Sequence, residues 1–96
     1  MRSRYIITYD ISDQKRLRRM FNKMRGFGNP LQYSVFLCEL SLKEKVILAS
    51  SLEEIINHKE DRVIIMSIGG TEERIEDRIE FMGKRVEFQE HKAVVF

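Results

Sequence analysis

Cysteine occurs once in this chain, at Cys38, so no intrachain disulfide can form and no cysteine cage can hold zinc. The lone thiol reads as a small buried apolar group. Long uncharged runs are missing too: the stretch 63–71 falls far short of the roughly 20 apolar residues that a spanning helix requires. The basic start Met1-Arg2-Ser3-Arg4 leads into a short apolar run that Asp10 closes, which is too little for a signal peptide. A cytoplasmic chain with no membrane partner is therefore expected. An overall charge of one sign is also lacking. The 17 Lys and Arg face 15 Asp and Glu, a formal charge of +2, too balanced for a disordered basic tail. No nucleophile elbow or metalloprotease helix is present, and Gly26-Phe27-Gly28-Asn29 lacks the Lys and Ser/Thr of a phosphate-binding loop. His58 and His91 each sit beside a Lys and far from other ligands, and read as surface residues.

What is present is an uneven distribution of charge. Residues 1–34 hold eight cations and two acids, whereas residues 35–96 hold nine and thirteen. The excess is concentrated in Lys15, Arg16, Arg18, Arg19, Lys23 and Arg25, a stretch of eleven residues without a carboxylate. Solvated helix faces normally mix signs, because like charges at i, i+4 repel. A polyanion such as nucleic acid explains the run better than solvent does.

With 96 residues the chain is long enough for one hydrophobic core and too short for two. Residues 4–10 are β-branched and aromatic, and they run into Ser12-Asp13: a strand followed by a helix cap. Leu17, Met20, Phe21 and Met24 then recur at helical spacing until Gly26 and Gly28 end the helix. Pro30 opens a second strand over 31–38, with Tyr33, Val35 and Leu37 on one face and Gln32, Ser34, Phe36 and Cys38 on the other. Ser41 with Glu44 makes a capping box for a second helix to about residue 57, with Val46, Ala49, Leu52, Ile55 and Ile56 as its apolar set. The continuous apolar run 63–68 reads as a strand covered on both faces and ended by Gly69-Gly70. Residues 71–77 can hold a helical turn, and 78–82 alternate as a fourth strand. Alternation returns at Val86-Glu87-Phe88, and the apolar end 93–96 wants a partner strand. This order fits an α+β, ferredoxin-like sandwich over 1–96: four antiparallel strands, two helices on one face, and 84–96 as a C-terminal extension. The uncovered face of such a sheet calls for a second copy of the chain.

Asp10 ends the first strand just before the cationic helix, where it either caps the following turn or meets a phosphate held by Arg16 or Arg19. Ser12 and Asp13 can take the capping role and free Asp10. One carboxylate is a sparse site for Mg²⁺ or Mn²⁺, but Asp10 from each of two protomers near a two-fold axis would hold a metal suited to phosphodiester hydrolysis.

Tyr9-Asp10-Ile11-Ser12-Asp13, the Arg-rich helix and Gln32-Tyr33-Ser34-Val35-Phe36 together resemble the CRISPR-associated Cas-two (Cas2) family. Arg62-Val63-Ile64-Ile65 and Val94-Val95-Phe96 extend the resemblance over nearly the whole chain. The resemblance implies a ferredoxin-like homodimer whose C-terminal strand pairs with the partner's sheet. It further implies a metal-dependent endonuclease acting on single-stranded RNA or double-stranded DNA. The other role it implies is a DNA-bridging adaptor that joins dimers of the Cas-one integrase (Cas1) and can dispense with hydrolysis. Carried over by position, Asp10 is the catalytic metal ligand, and Tyr9 and Phe36 line the site. Arg16 and Arg19 contact phosphates, with Arg18 and Lys23 as weaker contacts. Pro30 stands where many members have a basic residue, and Tyr33 and Phe36 read equally well as core or interface aromatics. An RNA-recognition sheet is disfavoured because Val63-Ile64-Ile65-Met66 offers no stacking aromatics. A small-molecule regulatory domain would leave the six clustered cations unexplained.

Overall fold

The computed structural model describes residues 1–84. Six elements form in the order β1 (Arg2–Asp10), α1 (Gln14–Arg25), β2 (Gly28–Gln32), β3 (Val35–Ser41), α2 (Leu42–Ile55) and β4 (Arg62–Gly70), followed by a single 3₁₀ turn at Ile75–Asp77. The strands lie in the order β2-β3-β1-β4, with every neighbouring pair antiparallel. This is the βαββαβ ferredoxin-like arrangement. Its core lies between the helices and one face of the sheet: Tyr5, Ile7 and Tyr9 of β1 and Phe36, Cys38 and Leu40 of β3 meet Met20, Met24, Leu48, Leu52 and Ile55.

Both helices start where the sequence supplies acceptors. Asp13 has extended dihedrals and accepts the Arg16 N–H at 3.0 Å, and Lys23 and Arg25 lie in the last turn, favourable for the helix dipole. At α2 the Ser41 hydroxyl accepts the Glu44 N–H at 3.1 Å while Glu44 accepts the Ser41 N–H at 2.7 Å, a complete capping box. The inward row of α2 is Leu48, Leu52 and Ile55; Val46, expected on that row, is exposed.

Three expectations are corrected. The strand expected over 31–38 is a hairpin: β2 runs back along β3 in a register from Gly28↔Cys38 to Gln32↔Val35, and Tyr33 at the turn is 72% exposed. Tyr33-Ser34 carries no Gly or Asn to mark the reversal, so the alternation reads straight through it. Pro30 is tolerated because β2 is an edge strand. The run 63–68 is covered on only one face by the described residues: Val63 and Ile65 pack on the core, whereas Ile64 and Met66 are 46% and 43% exposed. Residues 78–82 form no strand. The Arg4 guanidinium donates to the carbonyls of Thr71, at 3.3 Å, and Glu73, and this bends the chain away from the sheet edge. Residues 79–82 then lie under the face opposite the helices, lining with Ile6, Leu31 and Val35 a cavity of about 390 Å³. The expected strands at 86–88 and 93–96 lie outside the described residues. No described helix is long and apolar enough to cross a membrane.

Gly28 is the tightest point of the hairpin. A Cβ there would stand 2.5 Å from Cys38 Sγ and 2.6 Å from the Leu37 carbonyl oxygen. Gly28→Ala should therefore lower stability by about 1–3 kcal/mol through overpacking. Gly26→Ala, whose nearest neighbour would be 3.3 Å away, should cost less. Denaturant melts of the two variants check this, and equal losses would refute it.

Candidate functional site

Period-two alternation along β1 sends Tyr5, Ile7 and Tyr9 toward the helices and Arg4, Ile6, Thr8 and Asp10 to the opposite face. Asp10 is exposed at the end of this central strand, and Arg62 of β4 lies directly across from it in the register. The sequence expectation placed Tyr9 and Phe36 beside Asp10 as lining residues. Both instead belong to the core on the other side of the sheet: Tyr9 is 5% exposed and Phe36 fully buried. Their rings stack at 6.3 Å, and Phe21 meets Phe36 edge-on at 5.6 Å. Adjacent strand residues point to opposite faces, so Tyr9 and Asp10 cannot share a surface. The Tyr9 hydroxyl is buried with no hydrogen-bond partner among the described residues. Burial, with a smaller contribution from Tyr33, pushes its pKa up to about 12.

The cations of α1 divide into groups with different surroundings. Arg16 turns toward the α2–β4 loop: its Nε donates to Asp61 Oδ2 at 2.8 Å, and its Nη2 donates to Asp61 Oδ1 at 3.2 Å and Glu60 Oε1 at 3.1 Å. This differs from the expected phosphate contact, since the guanidinium is already taken by carboxylates. Arg25 lies 5.8 Å over the Phe21 ring. Arg19 and Lys23, with Ser51 and Glu54 across from them, line a groove of about 600 Å³ between the helices. Arg18 is exposed. Among the described residues no ion pair engages Arg18, Arg19 or Lys23.

Sequence reasoning missed Asp61. Its carboxylate is closed off from solvent and accepts, besides Arg16, the N–H groups of Asn57 at 2.8 Å and Ser12 at 3.1 Å. The one local hint was an acid between the second helix and a strand; the partner 45 residues away leaves no pattern in the sequence. No group of three or more His, Cys, Asp or Glu side chains able to hold a metal occurs among the described residues. Asp10 therefore offers one carboxylate from one chain. That donor set fits a magnesium ion that keeps most of its waters and takes phosphate oxygens, not a closed protein cage.

The Arg16 hydrogen bond and the two backbone N–H groups hold the Asp61 carboxyl well below the usual carboxylate range, against the opposing effect of burial. A carboxyl whose pKa drops on folding stabilises the fold above its unfolded value of about 3.9, and that contribution fades as pH falls from there toward the folded value. Asp61→Asn should therefore melt below the wild type at pH 6, and the gap should narrow below about pH 4. A gap that stays constant from pH 6 to pH 2 would show that the Asp61 charge does not support the fold.

Comparison with known proteins agrees with this architecture. The family model for CRISPR associated protein Cas2 matches residues 1–75. The CRISPR-associated endoribonuclease Cas2 of Geobacter sulfurreducens is 38% identical over 91 residues, covering 95% of each chain. The corresponding protein of Rhodospirillum rubrum, CRISPR-associated endoribonuclease Cas2 1, is 36% identical, covering 95% of this chain and 88% of the relative. Among solved structures, Streptococcus pyogenes Cas2 superposes with a TM-score of 0.73 at 28% identity, over 83% of this chain and 99% of that one. With a model match spanning three quarters of the residues and relatives of this similarity along nearly its whole length, the chain belongs to the CRISPR-associated Cas2 family.

Proposed function

We propose that this chain is a metal-dependent endonuclease of CRISPR adaptation, hydrolysing phosphodiesters in single-stranded RNA or double-stranded DNA, with Asp10 at its centre. The observation that carries the reading is the position of Asp10: an exposed carboxylate ending the central strand, on the face that the helices leave open. Names given to its relatives, CRISPR-associated endoribonuclease, support the same chemistry. A homodimer formed across the open face, with residues 84–96 pairing onto the partner's sheet, would bring two Asp10 carboxylates together. Asp10 would hold Mg²⁺ or Mn²⁺, and such a metal would supply Lewis-acid activation of water and charge stabilisation at phosphorus. Arg62 opposite Asp10 offers a cation to the same phosphate, and Arg18, Arg19 and Lys23 hold phosphates further along the strand.

A second reading, a DNA-bridging adaptor that works with the Cas1 integrase without cutting, is favoured by a specific observation. Arg18 and Arg19 are exposed and Lys23 lines the same groove as Arg19, cations that suit backbone binding without any metal. Cleavage of labelled single-stranded RNA and double-stranded DNA with Mg²⁺, Mn²⁺ or EDTA separates the readings. Metal-dependent cutting should vanish in Asp10→Asn while binding persists; no cutting by the wild type, with DNA still bound, supports the adaptor. Arg18→Ala with Arg19→Ala should flatten the dependence of log K on log salt by up to about two units. An unchanged slope would remove these residues from the interface.

A further inference from the structure

Asp61 and Arg16 bind two loops together next to Asp10. The carboxylate of Asp61 accepts two hydrogen bonds from the Arg16 fork, one from the Asn57 N–H and one from the Ser12 N–H, with the Ser12 hydroxyl a further 3.4 Å contact. A carboxylate has about four acceptor positions, so this one is saturated. Ser12 is two residues beyond Asp10, and Asp61 immediately precedes Arg62, the residue across from Asp10 in the sheet. One buried carboxylate thus fixes the loop that leaves Asp10 and the loop that enters at Arg62. The closing cation comes from the helix whose charge otherwise invites phosphate.

We infer that Arg16 and Asp61 are positioning residues: their ion pair fastens the β1–α1 loop to the α2–β4 loop and so sets Asp10 against Arg62, and Arg16 serves this contact instead of a phosphate. The inference rests on the proposed role of Asp10. It separates two functions within one basic helix, since Arg18 and Arg19 meet the nucleic acid while Arg16 acts through Asp61. The bidentate geometry makes Lys a poor replacement, because an ammonium cannot span both carboxylate oxygens.

The test uses the full chain and its Arg16→Ala, Arg16→Lys, Asp61→Asn and Arg19→Ala variants, each shown to melt cooperatively. Binding to a DNA duplex is measured against salt, and metal-dependent cleavage is resolved into kcat and KM. Arg19→Ala should flatten the salt slope by about one unit, whereas Arg16→Ala should leave it at the wild-type value. Arg16→Ala and Asp61→Asn should each lower kcat about ten- to a hundredfold with little change in KM, and Arg16→Lys should be impaired like Arg16→Ala. A slope flattened by Arg16→Ala as by Arg19→Ala would make Arg16 a phosphate contact and overturn the inference. So would activity restored by Arg16→Lys, or a kcat loss that Asp61→Asn does not share. Wild-type protein that binds DNA without cutting would instead overturn the nuclease reading, and the slopes alone would then decide whether Arg16 meets phosphate.

Discussion

The register of β1 between its two neighbours is the constraint on which the rest of the molecule depends. Ile7 lies between Phe36 of β3 and Ile65 of β4, Ile6 between Leu37 and Met66, and Thr8 between Val35 and Ile64. Ile7 is fully buried, a burial worth about 1.5–3 kcal/mol. A slip of one residue would move Ile7, Tyr5 and Tyr9 out of the core and turn Arg4 and Asp10 into it. Burying unpaired charge costs more than an apolar side chain regains, so the alternation admits only one solution. That solution delivers a free carboxylate to the end of the open face.

The open face is organised along the strands. At one end Arg4 is buried beneath the turn that follows β4, donating to the carbonyls of Gly70, Thr71 and Glu73 and to the Glu39 carboxylate. Gly69, at φ 103°, takes the left-handed conformation that lets the chain leave β4 there. In the middle Ile64 and Met66 are exposed while Leu37 is buried and Ile6 lines the cavity closed by residues 79–82, and the far end carries Asp10 and Arg62. A face that is apolar in the middle and charged at its rims resembles the anatomy of protein interfaces. The sheet thus places the proposed site at the edge of a surface suited to a second copy.

Much of this was legible in the residues. The Ser41–Glu44 capping box, the Asp13 cap and the Met20–Met24 stripe are local patterns with local causes, and they appear as expected. The fold class is legible although the hairpin is not: alternation predicts one strand over 31–38, and it predicts a strand at 78–82 where none forms. Strand alternation records which residues share a face and says nothing about where a chain without turn-forming residues reverses. At the site, the end-of-strand position of Asp10 is legible from alternation, while its role as a metal ligand comes only from the family resemblance. The family resemblance puts Tyr9 and Phe36 beside Asp10, although alternation alone separates Tyr9 from it. The Arg16–Asp61 pair had no local signature, since it joins residues 45 apart that only the packed helix and sheet bring together.

The same pair changes how the charge of α1 should be understood. Of the six cations between residues 15 and 25, Arg16 is neutralised by Asp61 and Glu60, while Arg25 stays exposed and charged beside Phe21. The sequence excess therefore overstates the field that a nucleic acid would meet. What remains, Lys15, Arg18, Arg19, Lys23 and Arg25, lies on the helix side of the sheet, whereas Asp10 lies on the other. The β1–α1 loop, residues 11–13, joins the strand end that carries Asp10 to the start of the basic helix. Ser12 in that loop is tied to Asp61. That loop is thus anchored by a buried carboxylate, and one cation of the basic helix completes the anchor.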